Sequence, residues 1–552
     1  MARVADRLVD GLAAQGVDRV FLVPGESYLT VLDALADRNA IEMVVCRHEG
    51  GAAFMAVADG KLTGRPGVAM VSRGPGATNA SIGVHLAEQD AVPMVLLVGQ
   101  VPRSEIGRGS FQEVDYSLMF GRLAKAVLML DQPERTAEII ARAFHIAQSP
   151  TPGPVVVVLP EDVLDEPCSN EALAPFPLPR VPLPDGAVLA DIAQRIERAE
   201  RPLLIAGSGF VSSEGRSALL RFAEAFQVPV VPTFKRVDIF PNTHPLYGGN
   251  LGFKIPPAAV ERFKKADLVL AVGTRLGEVP TQGYTFPRAP VPDQPLIHIT
   301  DDALHLGRNI RAEVAVVAEP IGALDRLTQL ARGGAPSSAR RAWIEELHRP
   351  QATARPWAPQ PGAPLDMGAV VAALIPHLTD DTIVITDAGN FSGWVHRHLP
   401  FNGRQVMIGS VGGAMGIAMP AAVASGLRQP GRQVLTFIGD GGALMTGSEL
   451  ATAVQYRVPV KVFISSNGTY GTIRLHQEKA FPSRVAGTEL TNPDFAAWAR
   501  SFGAAGFTIK TAEEAPRVVA EALAVPGPAV VDVRTATNVL APGVTVDALR
   551  RR

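Results

Sequence analysis

The sequence predicts an α/β protein made of three doubly wound domains, each a parallel sheet flanked by helices. Short apolar runs that suit buried strands alternate along the chain with patterns that suit helices. Several of these runs are followed directly by glycine turns, which is typical of the carboxyl ends of strands in such sheets. Two proline-rich stretches also divide the chain into three segments.

The proline-rich stretches give the expected domain boundaries. A chain of 552 residues exceeds one hydrophobic core, and its length agrees with roughly three domains. We expect these domains at residues 1–170, 186–345 and 365–552. The prolines that separate them are Pro167, Pro175, Pro177, Pro179, Pro182 and Pro184, and then Pro350, Pro356, Pro359, Pro361 and Pro364.

Composition is that of an ordinary globular protein, with 47% hydrophobic and 19% charged residues. A net charge of −2 gives no general attraction to nucleic acid or to an acidic membrane surface. Only Cys46 and Cys168 occur, so no disulfide framework is expected. The N-terminus leads into an amphipathic helix, and no apolar run is long enough to span a bilayer. We therefore expect a cytoplasmic protein that binds neither nucleic acid nor membranes.

The first segment places a carboxylate, Glu49, between a strand and a helix. Residues 43–46 form a short apolar run, and the small residues from Gly50 onward open a helix. A second apolar run, residues 68–71, precedes the glycine turn 74–76. Taken alone, a carboxylate at a helix start is commonly a first-turn charge that interacts favourably with the helix dipole.

The middle segment shows the strand-then-glycine pattern twice. Residues 202–206 precede a Gly-Ser-Gly turn at 207–209, and residues 266–272 precede Gly273. The first turn lacks the full Gly-x-Gly-x-x-Gly pattern, so the sequence gives little support to a dinucleotide site there.

The last segment carries the most informative pattern. Residues 434–438 and 460–464 are apolar runs too short for helices. Between them the sequence predicts a helix capped by Thr446 or Ser448, with Glu449 at its positive end. The helix is indicated by residues at helical spacing, namely Leu450, Ala453, Val454 and Val458.

Asp440 and Asn467 follow these two predicted strands, and right-handed crossovers bring such strand ends to one edge of the sheet. Mg²⁺ binds about six oxygens, so a carboxylate, an amide oxygen and one backbone carbonyl leave room for two phosphate oxygens. Gly441 and Gly442 let backbone N–H groups approach those phosphates. A capped turn would explain Gly-Asp-Gly alone but not the spaced asparagine, so we predict a site for Mg²⁺ and a diphosphate.

This pattern resembles the thiamine diphosphate fingerprint of the acetolactate synthase-like enzymes, although Ser466 replaces the first of two usual asparagines. The resemblance spans nearly the whole chain. It implies that Asp440, the Asn467 side chain and the Thr469 carbonyl hold Mg²⁺. It also implies pyrimidine-binding, central and diphosphate-binding domains, the first and last being structural relatives. The expected assembly is a homodimer or homotetramer that sets Glu49 of one subunit against the diphosphate domain of another.

The resemblance also assigns catalytic roles in the first domain. Glu49 is expected to hydrogen-bond the cofactor's aminopyrimidine, favouring the tautomer that removes the proton from thiazolium C2. Phe111 and Gln112 match the stretch whose side chains face the thiazolium. Without the resemblance, a lone glutamine on a loop would be a solvated amide.

Two further segments resemble cofactor-binding loops of that family. The first implies a Gly413 carbonyl bond to the cofactor's amino group and Met415 as the wedge between its two rings, a position that suits a flexible apolar side chain. Close helix-sheet packing would also explain the small residues there. The second, Gly389-Asn390-Phe391, matches the family's other diphosphate loop.

Substrate and flavin positions depart from the family. Arg73 either receives a substrate carboxylate or forms a structural ion pair, and the sequence leaves both open. His476 stands where biosynthetic acetolactate synthases have the tryptophan that favours 2-ketobutyrate, so that preference is not expected. Bound FAD is not expected either, although Arg275 remains, because the flavin-contacting positions hold Leu251, Gly277, Val279 and Thr300.

The sequence therefore predicts a thiamine diphosphate- and Mg²⁺-dependent lyase or transferase. It would decarboxylate a pyruvate-like 2-oxo acid and transfer the acyl carbanion to a second carbonyl. The alternatives are a simple 2-oxo acid decarboxylase, a 2-hydroxyacyl-CoA lyase of the same superfamily, and a non-catalytic cofactor-binding regulatory subunit. Glu49 argues against the last of these.

Overall fold

The computed structural model describes residues 2–253, 255–358 and 363–551, so Pro359 and Pro361 lie outside the described residues. Three sheets of parallel strands flanked by helices account for most of the described chain, which confirms the predicted fold class. Each predicted domain range contains one of these sheets, and the boundaries themselves stay a prediction. Along the described ranges, no helix combines the length and apolar character needed to cross a bilayer.

The N-terminal sheet has the strand order β2-β1-β3-β4-β6-β5 once its elements are numbered along the chain. Its strands are β1 (Arg19–Leu22), β2 (Glu42–Val45), β3 (Gly67–Val71), β4 (Met94–Gln100), β5 (Ala126–Met129) and β6 (Pro154–Pro160). Its helices are α1 (Val4–Ala14), α2 (Leu29–Ala36), α3 (Glu49–Thr63), α4 (Pro75–Asp90), α5 (Tyr116–Phe120) and α6 (Thr136–Gln148).

Alternate residues of this sheet enter two separate cores. Val95 and Leu97 face one core, whereas Leu96 and Val98 face the other, as the two-residue repeat of a strand requires. Strands β4 and β6 are buried along their whole length, because helices cover both faces of a parallel sheet.

The central sheet has five strands in the order β11-β10-β9-β7-β8. Its strands are β7 (Pro202–Ala206), β8 (Val230–Pro232), β9 (Leu268–Val272), β10 (Leu296–Thr300) and β11 (Val314–Val317). Its helices are α7 (Gly186–Arg198), α8 (Ser213–Phe226), α9 (Pro257–Phe263), α10 (Pro320–Thr328) and α11 (Ser338–Ala354). The turns after β7 and β9 pack so closely that a Cβ on Gly207 would lie 2.3 Å from the Gly273 carbonyl oxygen.

The C-terminal sheet has the order β13-β12-β14-β15-β17-β16, the same permutation as the N-terminal sheet. Its strands are β12 (Ile383–Thr386), β13 (Val406–Gly409), β14 (Val434–Gly439), β15 (Lys461–Ser465), β16 (Ala505–Ile509) and β17 (Ala529–Val533), and an antiparallel pair follows, β18 (Val539–Ala541) and β19 (Val544–Thr545). Its helices are α12 (Met367–Leu374), α13 (Ser392–His398), α14 (Ala418–Arg428), α15 (Asp440–Thr446), α16 (Leu450–Gln455), α17 (Gly471–Ala480), α18 (Phe495–Ser501), α19 (Ala515–Ala524) and α20 (Val546–Arg550).

Helices α3 and α14 join the first and last domains in one continuous core. Alanines of both helices, such as Ala52 and Ala421, are fully buried in it. At the edge of this contact Arg428 of α14 forms an ion pair with Asp59 of α3 at 2.6 Å. The two domains are therefore packed against each other within one chain.

The predicted helix between β14 and β15 is wrong in its limits. Helix α15 begins at Asp440, directly after the strand, and α16 ends at Gln455, so Val458 lies outside it. Neither predicted cap forms, because the Thr446 hydroxyl donates to the Gly416 carbonyl and a 3-10 turn, Gly447–Glu449, interrupts the helix.

Candidate active site

Asp440 lies at the carboxyl edge of the C-terminal sheet and is 3% exposed. Its Oδ1 accepts a hydrogen bond from the backbone N–H of Gly441 at 2.9 Å. Its Oδ2 accepts one from the backbone N–H of Gly468 at 2.7 Å and one from Asn492 Nδ2 at 2.8 Å. Because Gly468 follows Asn467 directly, the two predicted metal ligands lie together.

The electrostatics of this carboxylate suit a cation. These donors are uncharged, and burial raises the pKa of Asp440, although the bonds from Asn492 and Gly468 oppose that shift. A buried carboxylate without a cationic partner is costly. Two buried oxygens nearby, Thr469 Oγ1 and Asn492 Oδ1, have no hydrogen-bond partner within the described part of the chain. The oxygen-rich donor set fits a hard divalent cation.

Two glycines directly after Asp440 are closely approached by other side chains. A Cβ on Gly441 would lie 2.4 Å from the Tyr470 ring, and one on Gly442 would lie 2.5 Å from Asp387 Oδ2. Any larger residue at these two positions would therefore collide with Tyr470 or Asp387. The backbone N–H groups at the start of α15 also carry the positive end of the helix dipole, which favours phosphate.

A cavity of about 230 Å³ opens in front of these residues. Ligand pockets usually enclose roughly 300–1,000 Å³, so this cavity is small for a ligand site that one domain forms alone. The structure brings together the residues of the last domain that are expected to hold cofactor or metal, and the role assigned to each residue stays a prediction. These are Gly389, Asn390, Phe391, Gly413, Met415, Asp440, Gly441, Gly442, Asn467 and Thr469.

The loop after β12 is fixed by the start of α17. Asn390 Nδ2 donates to the Gly471 carbonyl at 3.1 Å, and Thr472 Oγ1 donates to Asn390 Oδ1 at 3.0 Å. Phe391 is 8% exposed and its ring lies against Gly389, where a Cβ would come within 2.3 Å of it. Asn390 is thereby held at the cavity wall.

The loop between β13 and α14, which carries Met415, is held at its far end by Asp387. The Gly416 N–H lies 3.0 and 2.8 Å from the two carboxylate oxygens of Asp387. Gly413 and Gly416 have φ of 71° and 86°, a left-handed conformation that favours glycine. Burial raises the pKa of Asp387 to about 7.

Two residues of this site, Asp387 and Asn492, were missed by the sequence prediction. Asp387 follows β12 directly, so its position at a strand end was the available signal. Asn492 precedes a proline in an irregular segment, which indicates a turn but no ligand. Its bond to Asp440 joins positions 52 residues apart, beyond the reach of local patterns.

The predicted catalytic residues of the first domain form a second group, the N-terminal patch (Glu49, Gly74, Gly76, Asn79, Gln112). Glu49 Oε2 accepts a hydrogen bond from Asn79 Nδ2 at 2.9 Å, and a Cβ on Gly76 would lie 3.7 Å from Glu49 Cγ. A Cβ on Gly74 would lie 2.7 Å from the Gln112 carbonyl oxygen. Gln112 itself has a φ of 64°. Glu49 and Gln112 thus flank the same glycine turn.

This patch does not reach the C-terminal cavity within one chain. The residues that line the cavity all come from positions 365–540. Phe111 is 74% exposed, and Glu49 is half-buried. A site that needs both groups would require the N-terminal patch of another chain.

Arg73 is engaged in two ion pairs of its own domain. Its Nη1 lies 2.7 Å from Glu161 Oε2, and its Nη2 lies 3.0 Å from Glu26 Oε1. Arg73 is 8% exposed. These contacts correspond to the structural alternative, and a substrate role stays a prediction.

The remaining predicted positions lie apart from the cavity lining. His476 is half-buried on α17. In the central domain Leu251 is fully buried, and Arg275 donates to the backbone carbonyl of Gln89 in the N-terminal domain. Arg275 thus contacts the backbone of another domain.

Three family models match the chain. The N-terminal TPP binding domain of thiamine pyrophosphate enzymes matches residues 2–119, and the central domain of these enzymes matches residues 189–327. Their C-terminal TPP binding domain matches residues 387–533.

Known proteins are similar to the chain over almost its full length. The acetolactate synthase large subunit of Parasynechococcus marenigrum is 35% identical, covering 96% of this chain and 87% of that protein. A probable acetolactate synthase large subunit of Methanocaldococcus jannaschii is 31% identical, covering 96% and 91%. A putative thiamine pyrophosphate-containing protein of Bacillus subtilis is also 31% identical, covering 96% and 91%.

These matches confirm the predicted resemblance and agree with the three parallel sheets. The family accounts for the division of the site between a first and a last domain that share one strand order. The chain therefore belongs to the family of thiamine pyrophosphate-dependent enzymes, among the relatives of the acetolactate synthases.

Proposed function

We propose that the chain is a thiamine diphosphate- and Mg²⁺-dependent enzyme that decarboxylates a pyruvate-like 2-oxo acid and joins the acyl group to a second carbonyl. The observation that carries the proposal is the buried Asp440 carboxylate, whose hydrogen-bond donors are uncharged and which faces a glycine-lined cavity. Asp440, the Asn467 side chain and the Thr469 carbonyl would hold Mg²⁺. Gly441 and Gly442 would admit the diphosphate.

Glu49 would act on the cofactor from a second subunit. Thiamine diphosphate, when bound, would supply a nucleophilic carbon and an electron sink for the decarboxylation of a 2-oxo acid. Glu49 would share a proton with the aminopyrimidine, and Asn79 orients its carboxylate through the 2.9 Å hydrogen bond. A homodimer or homotetramer is therefore part of the proposal.

Coupling, rather than release of an aldehyde, is supported by the acetolactate synthases among the relatives. Release needs only a proton donor, whereas coupling needs a second carbonyl held near attack distance. Phe111 and Gln112 would face the reacting carbon. The Phe111 side chain is 74% exposed, so it is available for contact with a partner subunit or a substrate.

Pyruvate supplied as the sole substrate tests this proposal. With thiamine diphosphate and Mg²⁺ we expect CO₂ and acetolactate, and Asp440→Ala should abolish both. Acetaldehyde as the sole product would instead indicate a simple decarboxylase. Cofactor binding without turnover of a panel of 2-oxo acids and acyl-CoA substrates would indicate a regulatory subunit.

The acceptor preference is a finer part of the proposal. His476 replaces the tryptophan expected of biosynthetic members, and discrimination by one methylene provides only about 1–3 kcal/mol even in a close apolar pocket. We expect pyruvate and 2-ketobutyrate to compete as acceptors with a product ratio near unity, measured by mass spectrometry. A strong excess of the 2-ketobutyrate product would contradict the assignment of His476.

The absence of FAD is proposed on the residues that replace the expected flavin contacts: Leu251, Gly277, Val279 and Thr300. The purified protein should be colourless. A stoichiometric flavin absorbance near about 450 nm, which is a property of the cofactor itself, would overturn this expectation.

A further inference from the structure

Two buried carboxylates, Asp90 and Glu449, connect the two cofactor-binding domains. Asp90 is the last residue of α4 in the first domain, and Glu449 ends the 3-10 turn after α15 in the last domain. Each therefore lies in the chain segment that connects the third strand of its own domain to the fourth. Asp90 is 3% exposed and Glu449 is 0% exposed.

Glu449 reaches the start of the helix that carries Glu49. Its Oε1 accepts hydrogen bonds from the backbone N–H groups of Arg47 at 3.0 Å and His48 at 3.1 Å. These are the second and third residues after β2, which ends at Val45, and they directly precede Glu49.

Asp90 makes the corresponding contact in the opposite direction. Its Oδ1 accepts hydrogen bonds from the backbone N–H groups of Val411 at 2.8 Å and Gly412 at 3.1 Å. These are again the second and third residues after a second strand, β13, which ends at Gly409. They begin the loop that carries Met415.

The contacts of Glu449 and Asp90 are equivalent in three respects: the strand that precedes the bound amides, the number of residues after that strand, and the carboxylate acceptor. In each domain a single carboxylate oxygen binds two consecutive amides of the other domain, which fixes the position and direction of that backbone. A backbone held in this way presents the next residues at a defined angle. In one domain the next residue is Glu49, and in the other the loop continues to Gly413 and Met415.

The surroundings are adapted to admit these carboxylates. A Cβ on Gly51 would lie 2.2 Å from Glu449 Oε1, so helix α3 needs glycine there. Lys61 of the same helix forms an ion pair with Asp90 and also donates to the Gly409 carbonyl. The partner of the other Glu449 oxygen is uncharged, since Thr452 Oγ1 donates to Oε2 at 2.6 Å.

We propose that Asp90 and Glu449 are positioning residues, each for the cofactor-contacting segment of the opposite domain. Glu449 sets the orientation of Glu49, and Asp90 sets the loop of Gly413 and Met415. The functional part of this inference rests on the proposed roles of Glu49 and Met415. A substitution in one domain should consequently impair the function assigned to the other.

Amide hydrogen exchange of the cofactor-free protein tests the contacts. In Glu449→Leu we expect residues 46–52 to exchange at least about tenfold faster, with residues 410–417 unchanged, because two amides lose their acceptor. Asp90→Leu should show the reverse pattern. Unchanged exchange at the opposite domain in both variants would overturn the inference.

Exchange of the C2 proton of bound thiamine diphosphate tests the functional consequence. Glu449→Leu should slow it about 10- to 100-fold, because a small misplacement of a reacting group costs about that much. Asp90→Leu should weaken thiamine diphosphate affinity about tenfold, measured by calorimetry. Glu449→Gln keeps the acceptor oxygen and should recover most of the C2 exchange rate. If Leu at 449 prevents folding, Gly51→Ala displaces the same carboxylate and should slow C2 exchange in its place.

Arg428→Met is the matched control, because it breaks the interdomain ion pair with Asp59 without touching either cofactor-contacting segment. It should lower the melting temperature yet leave amide exchange at both segments and C2 exchange unchanged. Equal slowing in Arg428→Met and Glu449→Leu would reduce Glu449 to a general interface residue and contradict the proposal. If Glu49→Gln has no effect on C2 exchange, the proposed function fails, and the amide exchange then decides the positioning contacts alone.

Discussion

The first and last domains share one strand order, yet the ends of their third strands differ in charge balance. After β3 the first domain has Arg73, whose guanidinium is neutralised by Glu26 and Glu161 of the same domain. After β14 the last domain has Asp440, whose hydrogen-bond donors are uncharged. The charge at the first strand end is already paired, whereas the carboxylate at the second has no cationic partner among these contacts.

The ends of the second strands differ as well. In the first domain β2 leads to Glu49, a carboxylate at a helix start, whereas in the last domain β13 leads to a glycine loop with Met415. One suits proton transfer and the other suits apolar contact. A shared sheet therefore fixes where functional residues lie, while the residues at each strand end decide the chemistry.

Glu49→Gln tests the part of this comparison that assigns proton transfer to the first domain. An amide cannot share a proton with the aminopyrimidine, so C2 exchange should slow by about 10²–10⁴ while cofactor affinity stays within about twofold. Proton exchange followed by NMR measures the rate. Glu42→Gln, at an exposed position of β2 in the same domain, is the control, and a rate in Glu49→Gln equal to its rate would remove Glu49 from the mechanism.

Asp440→Ala tests the part that assigns cofactor binding to the last domain. Loss of the anionic ligand should weaken Mg²⁺-dependent thiamine diphosphate binding by at least about 10², since changes to outer residues alone cost about 10–100-fold. Titration calorimetry with and without Mg²⁺ gives both affinities. The surface carboxylate Asp494 provides a control as Asp494→Asn, and undiminished binding by Asp440→Ala would refute the metal assignment.

The pH dependence of stability tests the burial of Glu449, which joins the last domain to the first. Burial raises the pKa of Glu449 above its ordinary value of 4.5. Its stabilising contribution is therefore complete below about pH 4.5 and is lost as the pH rises through the raised pKa. Each tenfold difference in proton affinity between the folded and unfolded protein corresponds to about 1.4 kcal/mol of unfolding free energy. The melting temperature of the wild type relative to Glu449→Gln should fall over that window. A difference that stays constant as the pH rises above about 4.5 would mean that Glu449 does not titrate as a buried acid.

The positions of Asp440 and Asn467 could be predicted because short-range patterns set them. Asp440 and Asn467 follow apolar runs, and parallel strands bring such positions to one edge. The pattern around Glu449 gave a wrong prediction because its contacts are long-range. Glu449 was assigned to a helix start, but its carboxylate binds an amide 402 positions away.

Arg73 shows the same limit. Its ion pair with Glu161 spans 88 positions, so the sequence left the structural and substrate alternatives equal. The family resemblance, rather than any local pattern, predicted that Glu49 and Asp440 meet across subunits. Within one chain, the cavity beside Asp440 is lined by residues of the last domain alone.

We propose above that Glu49 of one subunit and Asp440 of another complete one active site. Mixing the Glu49→Gln and Asp440→Ala variants, each inactive alone, tests it most directly. In a mixed dimer one site would carry both substitutions and the other neither, so random re-association should restore about a quarter of the wild-type acetolactate formation. If both residues served a site within one chain, mixing would restore no activity, and that result would contradict the account.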